Sequence, residues 1–85
     1  MMSAKEMFEE LGYEYSTLLS DQQRIYYEHK NENNQPSNFI IFDLDYQVIS
    51  NDSDIALQEL QAINKQVEEL GWNEWNKNYL INTQK

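Results

Sequence analysis

The stretch Asp52–Trp72, DSDIALQELQAINKQVEELGW, constrains this chain more than any other. Ala56, Leu60, Ile63, Val67 and Leu70 recur at steps of four, three, four and three, which places them on one stripe of an α-helix. Such a stripe needs an apolar surface to lie on, so the rest of the chain has to build one. Ser53 or Asp54 is the expected N-cap, because either side chain can accept from an N–H of the first turn. Gly71 is the expected left-handed stop. The same spacing suits a pairing helix, but it lasts little more than two heptads, short of the roughly three or four that a coiled coil needs. Ile55 and Leu57 widen the apolar face at the first turn, as for a helix lying across a sheet.

Upstream, Ser3-Ala4-Lys5-Glu6 has the form of a capping box, with Met2 and Met7 at the staple positions, so a first helix starts at Ser3 or Ala4. Met7, Phe8 and Leu11 form its apolar face, and Gly12 ends it. The two helix ends repeat one pattern, Glu-Glu-Leu-Gly followed by Tyr13 or Trp72, and these are the only two glycines of the chain. If each glycine closes a Schellman motif, Tyr13 packs on Phe8 and Trp72 on Val67.

Between the helices the period changes to two. Tyr13, Tyr15, Thr17 and Leu19 alternate before Ser20–Gln23, and Ile25, Tyr27 and His29 alternate after it, which reads as a hairpin. Asn31–Asn38 is polar, aperiodic and carries Pro36, so it reads as a loop with the proline outside any central strand. Phe39–Leu44 is the strongest strand, apolar on both faces and therefore central. Asp45-Tyr46 turns it towards a shorter strand at Gln47–Ser50. The expected fold is α+β, in the order α-β-β-β(-β)-α, with a small antiparallel sheet and two helices packed on one of its faces. Residues 1–72 form the single domain. Residues 73–85 form a C-terminal tail, read as a short helix or a partly disordered segment.

Composition narrows the function classes. With no cysteine, neither a disulfide framework nor a thiolate metal site is available. The longest apolar run, Phe39–Phe42, is far short of a bilayer span, and MMSAKEMFEEL lacks a basic segment followed by an apolar one, so a cytoplasmic location is expected. Fifteen acidic against six basic side chains leave a formal charge of −9. Direct nucleic-acid binding is therefore disfavoured, and a basic protein partner is the better fit.

The residues that could carry chemistry are few. Asp43 and Asp45 place two carboxylates on one side of a strand end, which suits a hard cation, though without the glycine and glutamate spacing of a calcium-binding loop. The competing reading is a solvated turn. His29, the single histidine, has no nucleophile in telling sequence register and reads as a strand-edge residue. Neither glycine is free to cradle a phosphate, so no catalytic residue and no cofactor is assigned. Partner binding is assigned to Glu9, Glu10, Glu68, Glu69, Tyr26 and Trp75. The acidic pairs sit in last helical turns, where the macrodipole favours cations. Parallel helices would merge them into one anionic patch, whereas antiparallel helices would set them at two ends. Aromatic side chains of this kind are enriched at protein interfaces.

Lys5–Tyr13, Phe42–Asp45 and Leu60–Trp72 are together similar to small phage and prophage proteins of Gram-positive bacteria, over most of residues 3–72. The resemblance implies a mobile-element origin and the interior of a host bacterial cell. Its motifs are helix caps and core positions, so it carries no catalytic residue across, and the tail is longer than the group leads one to expect. The expected function is that of a non-enzymatic accessory or regulatory factor that binds protein. Two alternatives stand beside it: an acidic mimic of nucleic acid that inhibits a host nuclease or defence protein, and a homodimeric structural domain. The oligomeric state is left between monomer and homodimer.

Overall fold

The fold comes from a computed structural model in which residues 1–72 are described. The expectations for the tail 73–85, Trp75 included, lie outside the described residues. The elements are α1 (Ala4–Glu10), β1 (Tyr13–Tyr15), β2 (Arg24–Lys30), β3 (Pro36–Asp43), β4 (Val48–Asn51) and α2 (Leu57–Glu69). The four strands form one antiparallel sheet in the order β1-β2-β3-β4. The fold is thus the α+β arrangement expected, with the optional fourth strand present.

Helix α1 is short, and its ends hold it. The Ser3 hydroxyl accepts from the Glu6 N–H at 3.1 Å and the Glu6 carboxylate accepts from the Ser3 N–H at 2.8 Å, which closes the capping box. The Ser3 backbone N–H, with its hydroxyl second, holds the Glu6 carboxyl below its ordinary pKa. At the other end Gly12 has φ +91° and donates to the Glu9 carbonyl at 3.0 Å. Tyr13 then turns onto Phe8, ring centroids 5.7 Å apart, the pairing that the stop pattern implies. The second stop is a complete Schellman motif: Gly71 (φ +75°) donates to the Glu68 carbonyl and Trp72 to the Val67 carbonyl. The Trp72 ring goes further than Val67, to 6.2 Å from Phe42.

Strand boundaries differ from the sequence reading in three places, each for a local reason. β1 stops at Tyr15, so Thr17 and Leu19 are not in a strand. The Ser16 hydroxyl accepts from the Leu19 N–H, and the Asp21 carboxylate accepts from the Gln23 and Arg24 N–H groups. Short polar side chains there satisfy the backbone in turns instead of in a ladder. β3 begins at Pro36 rather than Phe39. Proline is tolerated as a first strand residue beside the register shift at His29/Lys30, where its missing donor is not needed. β4 starts one residue later than expected because Gln47 (φ +57°) completes the turn, in which Asp43 Oδ1 accepts from the N–H groups of Asp45 and Tyr46 at 3.0 Å.

The core lies between the helices and one face of the sheet, and comprises Phe8, Tyr13, Tyr27, Ile40, Phe42, Ala62, Ile63 and Trp72. Phe8 stacks on Tyr27 at 4.1 Å between centroids, and each meets Phe42 edge-on at 6.2 Å. Burying an aromatic side chain of this size stabilises the fold by roughly 1.5–3 kcal/mol, so this trio anchors α1 to β2 and β3.

Helix α2 is where the sequence reading needs its main correction. Its N-cap is Ala56, not Ser53 or Asp54; alanine offers no acceptor to the first-turn N–H groups, and only the reverse half of a capping box forms, the Glu59 carboxylate accepting from the Ala56 N–H at 2.7 Å. The preceding residues are engaged elsewhere: the Asp52 carboxylate accepts from the Phe39 N–H, and Asn51 donates to the Ser53 carbonyl. The buried face is also rotated. It runs through Glu59, Ala62, Ile63 and Gln66, while Ala56 is exposed and Leu60 is 44% exposed. Tyrosine hydroxyls under the helix cause the rotation: Tyr13 donates to Glu59 at 2.5 Å and Tyr27 to Gln66 at 2.7 Å. Each polar pair would be costly to bury unmatched, so the helix turns to match them.

Candidate functional site

Both helices cover the sheet face that carries Tyr13, Tyr27, Ile40 and Phe42. Strand alternation and the register therefore assign Glu14, Tyr26, Glu28, Phe39, Ile41, Asp43 and Val48 to the opposite face. No described residue forms a layer over it. Tyr26 and Phe39 bring their rings to 6.0 Å, Ile41 is directly across from Tyr26, and Val48 is 51% exposed on the edge strand. This is a contiguous aromatic and aliphatic strip on an open face, the kind of surface that marks an interaction site when it is rimmed by polar groups.

Carboxylates dominate the rim. Glu14 and Glu28 are register partners across β1 and β2, an arrangement of like charges that is unfavourable in isolation. Lys30 lies 3.7 Å from Glu28 and offsets part of the repulsion. At the other end of the face a shallow concavity of about 360 Å³ is lined by Arg24, Ile41, Asp43, Asp45, Tyr46 and Val48. Asp43, one of the two candidate metal ligands, commits one carboxylate oxygen to the turn. Among the described residues no group of three or more His, Cys, Asp or Glu side chains is placed to hold a metal ion.

A second concavity, of about 320 Å³, lies on the covered side, where Leu11, Tyr13, His29, Asn38, Ala56, Gln58 and Glu59 meet. Tyr13, Asn38 and Glu59 are bonded to one another there. The Tyr13 hydroxyl donates to Glu59 and accepts from Asn38 at 2.6 Å. Burial first, and then the bond to the Glu59 carboxylate and its charge, push the Tyr13 pKa upward. His29 Nδ1 is 2.9 Å from the Ser37 hydroxyl, which itself donates to the His29 carbonyl. With that proton committed, the hydroxyl oxygen accepts from Nδ1. Nε2, however, faces Gly12 so closely that an added Cβ there would sit 2.7 Å away. The cluster ties α1, the sheet and α2 together.

The assigned partner-binding residues are dispersed. Tyr26 belongs to the open sheet face. Glu69 accepts from the Ala4 N–H at 2.8 Å, which places the end of α2 beside the start of α1. The helices are therefore antiparallel, and Glu9 with Glu10 lies at the opposite end from Glu68 with Glu69. Phe39, Ile41 and Val48 were not singled out from sequence. The available signal was that Phe39–Phe42 is apolar on both faces while two helices cover only one. The Glu14–Glu28 pairing needs the register and had no sequence signal.

No family model matches the chain, and neither a curated protein nor a solved structure matches it. Among the described residues no helix is long and apolar enough to cross a membrane. What the described residues define is a small α+β domain with one sheet face covered by both helices and the other without a covering layer among them.

Proposed function

We propose that this chain is a non-enzymatic accessory or regulatory factor that binds a basic protein partner on the open face of its sheet. The observation that carries the reading is the Tyr26–Phe39–Ile41–Val48 strip with Glu14 and Glu28 opposed beside it. Aromatic and aliphatic side chains supply the desolvated centre of an interface. The paired glutamates favour a cationic side chain that would relieve their repulsion, and the net charge of −9 steers such a partner inward. On the resemblance described above, the setting is the interior of a host bacterium and the origin a phage or prophage. A narrower form of the reading is inhibition of a nuclease or defence protein by carboxylates standing in for phosphates. The opposed Glu14 and Glu28 favour it.

The test is titration of the full chain with a synthetic amphipathic peptide of alternating lysine and valine, followed by calorimetry and amide chemical-shift mapping. Saturable binding is expected, with shifts centred on Tyr26, Phe39 and Ile41. Phe39→Ala should weaken it by about 2 kcal/mol, as for an interface hot spot. Glu14→Gln with Glu28→Gln should flatten its salt dependence. Shifts on the helices instead, or binding indifferent to salt, would remove this reading.

A further inference from the structure

The described fold ends at Trp72, whose ring is 6.2 Å from Phe42 on the covered side of β3. Phe42 pairs with Ile49 of β4, the edge strand, and the adjoining pair, Asp43 and Val48, belongs to the open face. Asp43 and Val48 line the concavity at that end, together with Asp45. Trp72 and the near end of the apolar strip are therefore separated by little more than the thickness of the sheet. About three extended residues at ~3.3 Å each span the roughly 10 Å between its two sides, so Trp75 is placed to reach the open face. The rest of the chain, to Lys85, is long enough to cross four strands spaced ~4.8 Å apart.

The residues of this segment match the face in character. Of the six basic side chains Lys77 and Lys85 fall here, and of the fifteen acidic ones only Glu74, so the segment is net basic on a chain carrying −9. Read in steps of two, Trp75, Lys77, Tyr79 and Ile81 share one side of an extended segment, with Asn76, Asn78, Leu80 and Asn82 on the other. Three apolar side chains with a lysine among them complement the Tyr26–Phe39–Ile41–Val48 strip and its carboxylate rim. Leu57 and Leu60 of α2 are exposed as well, but lie about 18 Å or more from Trp72 along the helix, beyond the reach of Trp75.

We propose that residues 73–85 fold back past β4 onto the open sheet face and cover it, in competition with the basic partner. Trp75, Tyr79 and Ile81 lie along the strip, Lys77 faces Asp43 and Asp45, and Lys85 reaches the opposed Glu14 and Glu28. A tethered segment meets the face at an effective concentration of about millimolar, so contacts too weak to hold a free peptide suffice. Covered for nine-tenths of the time, the face would bind a partner about tenfold more weakly than when bare. Such regulation rests on the partner reading of this face, whereas the docking itself does not.

The chain has no cysteine, so a nitroxide attached to Gln84→Cys labels one site in the full-length protein. Enhanced relaxation of the Glu14, Tyr26 and Glu28 amides is expected, unchanged on dilution and abolished by Trp75→Ala with Lys77→Glu. The same pair of substitutions should raise affinity for the lysine–valine peptide by about tenfold, a gain that misfolding cannot imitate. Relaxation centred on Leu57 and Leu60, relaxation that fades on dilution, or no preferred site overturns the docking. A peptide bound equally by the parent and the substituted chain overturns the masking and leaves the partner reading standing. A peptide bound by neither, with the Glu14, Tyr26 and Glu28 amides still relaxed, removes the partner and with it the masking, but leaves the docking.

Discussion

At Gly12 two constraints coincide. Its φ of +91° lies in the left-handed region, and a Cβ there would stand 2.7 Å from Nε2 of His29, whereas one at Gly71 (φ +75°) would meet nothing within 4 Å. Gly71→Ala should therefore cost only the backbone term, roughly 1–2 kcal/mol. Gly12→Ala should cost more, because the His29 ring must also shift and strain its bond to Ser37. Urea denaturation of the two variants checks the order, and equal losses would show that the histidine gives way freely. The sequence makes both glycines legible as helix stops but cannot rank them, since the ranking depends on a residue from β2.

Among the elements, the antiparallel helix pair explains a charge that looked misplaced. Glu69 is unfavourable at the end of its own helix, yet it lies at the start of α1, where the macrodipole favours an anion and the free Ala4 N–H needs an acceptor. Glu68 has no such use; its partner is Lys65 at 3.2 Å, in an exposed pair of little worth. Glu69→Gln is expected to destabilise the fold by about 0.5–1 kcal/mol, and Glu68→Gln to change it by less than about 0.5 kcal/mol. Thermal unfolding of both variants at low ionic strength measures the difference, and a larger loss from Glu68→Gln would contradict the assignment. The elements themselves were legible because period and caps are local. β1 was read too long because Ser16 and Asp21 compete for the backbone, and composition does not reveal which hydrogen bonds win.

For the whole molecule, the two tyrosines beneath α2 set an upper pH limit. Burial is the main cause of the raised pKa at both, followed at Tyr13 by Glu59 and at Tyr27 by the charge of Glu69. An unfolded tyrosine releases its proton near the ordinary value of 10.0, while the folded chain keeps both protons to higher pH. Stability from this source is thus fully present below that value and is lost as pH rises from it through the raised values of the folded chain. Alkaline unfolding followed by circular dichroism should begin above that point, and the phenol absorbance of these two residues should change only as the fold is lost. Tyr13→Phe should make the decline shallower. Early ionisation of all tyrosines with the fold intact would contradict this account.

Sequence alone determined the element order, both helix stops and the α1 capping box, because each depends on neighbours within one turn or on period along one strand. Only the tertiary structure decided which side of α2 faces the sheet. Local periodicity counts apolar residues and favours Ala56 and Leu60, which the structure leaves exposed. The folded chain instead turns Glu59 and Gln66 inward, since hydroxyls from Tyr13 and Tyr27 wait there and an unmatched polar group under a helix costs more than a half-exposed leucine. That rotation is what leaves Leu57 and Leu60 at the surface. Coverage of one sheet face by both helices likewise leaves Tyr26, Phe39 and Ile41 on the other.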